Sequence, residues 1–266
     1  MAHAMPGRRG ADLMQSVTVQ TGAEPFTADG GTVGVLVCHG FTGNPRTVRP
    51  WAEHLAAAGL TVRAPRLPGH GTTGRDLNRT GWQDWYDEAE RAFAELSGKC
   101  EQVFVAGISM GACLAFRLAE TQGAKVSGLV VVNPSLAPDT RLFLLAPVLK
   151  HVIRTLPGIT DDIKKPGATE GGYKRLPVRS AATLPAMWKI TARHLNEVTQ
   201  PVLVYRSAVD HVVGPASMKV LSALPDAEVR PLPDSYHVAT LDNDAQAIFD
   251  GTLAFINKHS ATEKRV

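Results

Sequence analysis

The sequence predicts an α/β domain: a mostly parallel central sheet covered by helices on both faces, with a helical segment inserted late in the chain. Three observations carry that expectation. Short apolar runs rich in β-branched residues alternate with helix-period segments, the pattern of strand–helix–strand units. The first run, Val33-Gly34-Val35-Leu36-Val37-Cys38, is apolar at successive positions, as a strand buried on both faces must be. Between Pro134 and about Thr199 the alternation stops, several prolines intervene and no convincing strand can be read.

The elements follow in order. A helix is expected over 47–58, ended by Gly59, then a strand over 60–64 and a loop rich in Pro and Gly. Residues 82–96 read as an amphipathic helix carrying Trp82, Trp85, Tyr86, Ala89 and Phe93 on one side. A strand over 102–108, a helix over 111–122 and a strand over 125–132 come next. The last strands are expected at 202–205 and 227–232, with helices near 216–223 and 245–257. Residues 142–149 are apolar throughout, which suits a buried helix or one facing a greasy ligand. The resulting plan is a flexible leader (1–16), a core made of 17–133 and 200–259, a helical lid over 134–199 and a tail (260–266).

Composition narrows the function classes. A net charge of +3 over 266 residues is weak, and the dense basic pairs Arg8-Arg9, Lys164-Lys165 and Lys264-Arg265 are short, against nucleic-acid binding. No window approaches the roughly 18 consecutive apolar residues of a membrane span. The N-terminus lacks the apolar core of a signal peptide. Cys38, Cys100 and Cys113 are odd in number and lack metal-ligand spacing, which points to a reducing, cytoplasmic setting. No glycine-rich loop fits a dinucleotide or triphosphate, so neither a metal nor a cofactor is expected.

The chemistry-bearing motif is Gly107-Ile108-Ser109-Met110-Gly111, with an apolar strand running into it and a helix running out. A sharp strand-to-helix turn exposes the serine hydroxyl, and the flanking glycines keep side chains out of the corner. A nucleophilic serine needs a base, and the base needs an orienting acid; in this arrangement the chain order is Ser, acid, His. Asp210 follows the strand at 202–205, and His237 follows the final strand. Asp226 precedes its strand, and Asp234 is too near His237 in sequence to reach around its ring. Two N–H donors for a tetrahedral oxyanion are expected from Met110 and from Phe41 in the loop after the first buried strand. His39 and His70 are expected to be structural, His211 to lie on a loop surface, and His54, His151 and His194 to face solvent from helices.

With these residues in view, the chain resembles the bacterial carboxylesterase and monoacylglycerol lipase family of the α/β-hydrolase fold. The resemblance rests on Val37-Cys38-His39-Gly40-Phe41-Thr42-Gly43-Asn44-Pro45, Ala64-Pro65-Arg66-Leu67-Pro68-Gly69-His70-Gly71-Thr72, Thr80-Gly81-Trp82-Gln83-Asp84-Trp85 and the serine motif. Asp210-His211-Val212-Val213 and Ser235-Tyr236-His237-Val238-Ala239-Thr240-Leu241-Asp242 look most like the monoacylglycerol lipases, as does the order of Asp162-Ile163-Lys164-Lys165-Pro166 and Tyr173-Lys174-Arg175-Leu176-Pro177. The resemblance implies cofactor-free hydrolysis of a fatty acid monoester of glycerol, with Glu170 of the lid holding glycerol hydroxyls and the lid touching lipid surfaces transiently. The alternatives from the same machinery are a general carboxylesterase or a thioesterase. A ligand-binding receptor with a retained pocket would not need the complete Ser, Asp and His set.

Overall fold

The computed structural model describes residues 18–139, 148, 151–158 and 160–260. Nine strands are found among them: β1 (Phe26–Ala28), β2 (Val33–Cys38), β3 (Thr61–Ala64), β4 (Gln102–Ile108), β5 (Val126–Val132), β6 (Thr155–Pro157), β7 (Arg175–Pro177), β8 (Val202–Ser207) and β9 (Glu228–Leu232). Seven form one sheet in the order β1-β3-β2-β4-β5-β8-β9. Every pairing in it is parallel except that of β1 with β3. The helices are α1 (Arg49–Ala57), α2 (Gly74–Leu77), α3 (Trp82–Ser97), α4 (Met110–Gln122), α5 (Val178–Ala181), α6 (Leu184–His194), α7 (Pro215–Leu221) and α8 (Ala245–His259). No helix among the described residues is long and apolar enough to cross a membrane.

Side-chain alternation along the strands divides the core in two. Leu36 and Cys38 of β2 join Val103 and Val105 of β4 on the face covered by α3, α4 and α6, where Trp85, Phe93, Phe116 and Trp188 pack. Val35 and Val37 join Phe104, Ala106 and Ile108 on the opposite face, against Trp51 of α1 and Phe249 and Phe255 of α8. A strand used on both faces must be apolar at successive positions, which is why these runs lack a polar alternation. The chain leaves β2 toward β3 on one side and returns to place β4 on the other. The carboxyl ends of β2 and β4 therefore flank the point where strand order reverses, where ligand clefts open in such sheets.

Two expectations need correction. The insertion between β5 and β8 is not free of strands: β6 and β7 pair antiparallel, with Leu156 opposite Leu176. Each is three residues long, ends in proline and pairs only with the other, so neither carries a period long enough to read. His151 lies in an exposed turn rather than on a helix, while His54 of α1 is half-covered and stands 3.2 Å from Asp250 of α8. The apolar stretch 142–149 lies outside the described residues except for Val148, and so do the leader and most of the tail. The edge strand β1 was not foreseen. It is tied down by Arg63 of β3, a buried guanidinium that reaches Asp29 at 2.5 Å, Glu95 at 2.8 Å and the carbonyl of Ala28 at 3.0 Å.

The approach of α4 to the sheet sets the geometry of everything beyond it. A Cβ on Gly111 would collide with the carbonyls of Cys38 and His39, and one on Gly107 would collide with the backbone of Gly111. Gly111→Ala should therefore destabilise the protein by about 1–3 kcal/mol, as overpacking against rigid backbone does. Gly98→Ala is the control, because a methyl at that helix end meets only ordinary contacts at 3.6 Å. Thermal melts should show a clear loss for the first variant and almost none for the second; equal melting temperatures would contradict this packing account.

Candidate active site

Strand β4 delivers Ser109 to the corner with φ 57° and ψ −119°. This is the positive-φ region that side chains avoid, at a cost of order 1–3 kcal/mol, so the surroundings must impose it. They do so through the backbone: Ser109 N–H donates to Val132 O at 2.9 Å, and Ser109 O accepts from Ala112 N–H at 3.1 Å and Ser135 N–H at 3.2 Å. The absence of a side chain on Gly40 leaves room for Ser109, since a Cβ there would stand 3.3 Å from the serine Cβ.

Asp210 lies beyond β8 and His237 beyond β9. Their side chains meet, with His237 Nδ1 at 3.0 Å from Asp210 Oδ2. The Asp210 side chain is fully buried and His237 is 6% exposed. Burial pushes the Asp210 carboxyl up, but the hydrogen bond and charge of His237 and the N–H groups of Val213 and Val212 outweigh it, leaving it below the ordinary carboxylate range. Asp210 Oδ1 takes both of those N–H groups, at 2.8 and 2.9 Å, while Oδ2 also receives Arg206 at 2.7 Å. A carboxylate so surrounded stays ionised and holds the ring with its Nδ1 proton toward the acid, leaving Nε2 free to accept a proton. Asn133, itself in the left-handed region at φ 44°, donates to His237 O at 2.8 Å and links the histidine loop to the end of β5.

Ser109, His237, Phe41, Met110 and Glu170 all line one cavity of about 340 Å³, with Leu176, Leu184 and Trp188 among its apolar walls. Among the described residues, no hydrogen bond joins the Ser109 hydroxyl to His237, and such contacts commonly tighten only when substrate fills the site. The Phe41 N–H likewise has no acceptor among the described residues, and Met110 opens α4, where first-turn N–H groups lack helical partners. No cluster of three or more His, Cys, Asp or Glu among the described residues could hold a metal.

Glu170 does not sit on a helix. It is 8% exposed, its Oε1 accepts Asp161 N–H at 3.0 Å, and its own N–H donates to Asp161 Oδ1 at 2.7 Å. Gly172 makes room for the carboxylate, since a Cβ there would stand 3.0 Å from Oε1. Burial raises the Glu170 carboxyl, opposed by the Asp161 N–H and by the charge of His237. Sequence reasoning missed Asp161, Asp162, Arg206 and Asn133, the groups that hold this site in place. For Asn133 and Arg206 the available signal is a polar residue directly after the predicted strands 125–132 and 202–205, whereas Asp161 and Asp162 lie where no strand was expected.

Beside the loop that carries Phe41, His39 and His70 are fully buried, with ring centroids 4.9 Å apart. His39 Nδ1 faces Gly40 O at 2.9 Å while its Nε2 accepts Leu67 N–H at 3.2 Å, which fixes a neutral tautomer. Burial drives the His39 pKa down from 6.5 to about 4, with the Gly40 hydrogen bond opposing and Arg66 assisting. The unfolded chain therefore takes up a proton more readily than the folded one, so stability present above pH 6.5 is lost as pH falls toward 4. Asp210, held low, loses its contribution only at more acid pH. Denaturant titrations should show this decline in the wild type and a shallower one in His39→Gln; identical slopes would remove His39 from the account.

The family described as serine aminopeptidase, S33, matches residues 33–244. The thermostable monoacylglycerol lipase of Bacillus sp. (strain H-257) is 37% identical over 252 residues, spanning 93% of this chain and all of that protein. The carboxylesterase of Bacillus subtilis (strain 168) is 26% identical over 244 residues, 88% of this chain and 96% of that one. Among solved structures, one from work on LipS and LipT, two metagenome-derived lipolytic enzymes, superposes with a TM-score of 0.87 at 36% identity, covering 91% of this chain and 100% of that one. The chain belongs to the serine aminopeptidase S33 family of α/β-hydrolases, alongside its bacterial monoacylglycerol lipases and carboxylesterases.

Proposed function

We propose that the protein is a serine carboxylic-ester hydrolase that converts monoacylglycerols to a free fatty acid and glycerol. The observation that carries the reading is Ser109 in the elbow conformation, sharing a cavity with the His237–Asp210 pair and with a buried carboxylate at Glu170. In the proposed mechanism Ser109 Oγ attacks the ester carbonyl and passes its proton to His237 Nε2. The N–H groups of Phe41 and Met110 hold the oxyanion. Collapse of the tetrahedral intermediate expels the alcohol, which takes the proton from His237. A water then attacks the acyl-enzyme by the same proton route, releasing the acid and restoring Ser109.

The apolar walls suit an alkyl chain, and Glu170 suits the glycerol hydroxyls. The family's description also raises cleavage of an N-terminal peptide bond, for which Glu170 would have to bind an ammonium group. The 37% identity to a monoacylglycerol lipase over nearly the whole chain supports the same substrate class. The insertion over 134–199 is proposed to act as a lid that meets lipid surfaces, a role supported by Val148 and Val152 at 68% and 84% exposure. A cytoplasmic setting is proposed on the three free thiols Cys38, Cys100 and Cys113.

The test is a side-by-side assay of a monoacylglycerol, a nitrophenyl ester of the same acyl chain, an acyl-thioester and an aminoacyl nitroanilide. The monoacylglycerol should have the highest kcat/KM of the natural-type substrates; preference for the nitroanilide or thioester would overturn the assignment. A hydrogen bond to a charged group contributes about 1.5–3 kcal/mol. Glu170→Gln and Glu170→Ala should therefore lower kcat/KM on the monoacylglycerol by roughly 10- to 150-fold while sparing the nitrophenyl ester. If the ratio between the two substrates does not move, Glu170 does not hold the alcohol.

A further inference from the structure

The histidine loop is held from two directions. Asn133, at the end of β5, binds the carbonyl of His237, whereas the N–H of His237 donates at 3.1 Å to Asp162 Oδ2. Asp162 belongs to the insertion, not to the sheet. Its carboxylate also accepts His211 N–H at 3.2 Å and contacts His211 Nδ1 at 2.7 Å, and its carbonyl accepts Val238 N–H at 3.0 Å. One residue thus grips both the residue after Asp210 and the peptide of His237. The Asp162 side chain is only 9% exposed, which shelters its bond to the His237 N–H, whereas the His211 side chain stands 53% exposed.

The neighbouring residues reinforce this arrangement. Asp242, itself buried, accepts Lys164 N–H at 2.7 Å and Tyr236 N–H at 2.8 Å through Oδ2, and Lys165 N–H at 2.8 Å through Oδ1. The segment 161–165 is thereby clipped along the histidine loop. Asp161 lies in the left-handed region at φ 55°, a conformation that Asp tolerates better than most residues. Its side chain and N–H orient Glu170. Consecutive residues therefore orient the pocket carboxylate and the triad histidine.

We propose that Asp162 is a positioning residue for His237, fixing the imidazole through the His237 peptide and making the alignment of the general base depend on the seating of the insertion. The proposal rests on the reading of His237 as the base. Because the base serves every ester, the effect of Asp162 should be independent of the leaving group, unlike that of Glu170.

The experiment compares wild type, Asp162→Ala, Asp162→Asn, His211→Ala and His237→Ala on the monoacylglycerol and the nitrophenyl ester, each below its melting temperature. The rate at which a fluorophosphonate modifies Ser109 is followed in parallel. Asp162→Ala should lose roughly 10- to 100-fold in kcat on both esters, with KM changed by less than about threefold and phosphonylation slowed in step. Asp162→Asn keeps an oxygen acceptor for the His237 N–H and should recover part of the loss. His211→Ala, which leaves the Asp162–His237 bond intact, should retain most of the kcat. Three results would overturn the proposal: an unchanged kcat in a folded Asp162 variant, an equal loss in His211→Ala, or a loss confined to the monoacylglycerol. Should Asp162→Ala fail to fold, the near-isosteric Asp162→Asn against His211→Ala decides the same question. Retention of the wild-type rate by His237→Ala would instead mean that the base itself is misassigned, a failure read separately from this one.

Discussion

The Ser109 corner, on which the rest of the cavity is built, rests on one backbone constraint, the turn between β4 and α4. Three parallel strands end together there: Cys38 of β2 stands beside Gly107, and Ile108 beside Val132. Helix α4 begins immediately, close enough to β2 that only glycine fits at 111. Ser109 is left in the one conformation that joins them, and its cost of order 1–3 kcal/mol is offset by the bonds to Val132, Ala112 and Ser135. Phe41 and Met110, whose N–H groups have no acceptor among the described residues, line the same cavity as Ser109. Strand order reverses between β2 and β4, which opens the cleft where these groups point.

The two buried carboxyls, Asp210 and Glu170, illustrate how burial is set against hydrogen bonding. Burial alone pushes both buried carboxyls up from the ordinary carboxylate range. Asp210 escapes because it accepts two backbone N–H groups and faces His237 and Arg206, and it stays ionised. Glu170 receives one backbone N–H and stands near Asp161 and Asp162, so burial prevails and its carboxyl is raised. The two carboxyls are thus separated in character by their donors rather than by residue type, as expected when two acidic groups near one centre take different tasks.

The sequence made the sheet legible where strands are buried on both faces, because continuous apolar runs such as 33–38 and 102–108 have no other soluble use. It singled out Ser109, Asp210 and His237 through the chain order that the strand–turn–helix arrangement requires, and the structure brings His237 against Asp210 and into the cavity that Ser109 lines. It did not reveal β6 and β7, which are too short to show a period, nor β1, whose anchor is a distant buried Arg63. The ties made by Asp162 to His237 and by Asp242 to Lys164 and Lys165 were hidden for a different reason. They join segments about 75 residues apart in the chain through backbone N–H groups, and a backbone donor leaves no mark on residue identity. An aspartate that orients a loop is indistinguishable in sequence from one on a solvated surface.

The central claim is that the strained corner makes Ser109 the nucleophile. The most direct measurement is mass-spectrometric mapping of a fluorophosphonate adduct on the native protein, on Ser109→Ala and on His237→Ala. A single adduct on the peptide carrying Ser109, absent from Ser109→Ala and formed far more slowly in His237→Ala, is the outcome the structure predicts. Modification of another serine, or labelling of Ser109→Ala at the native rate, would contradict it.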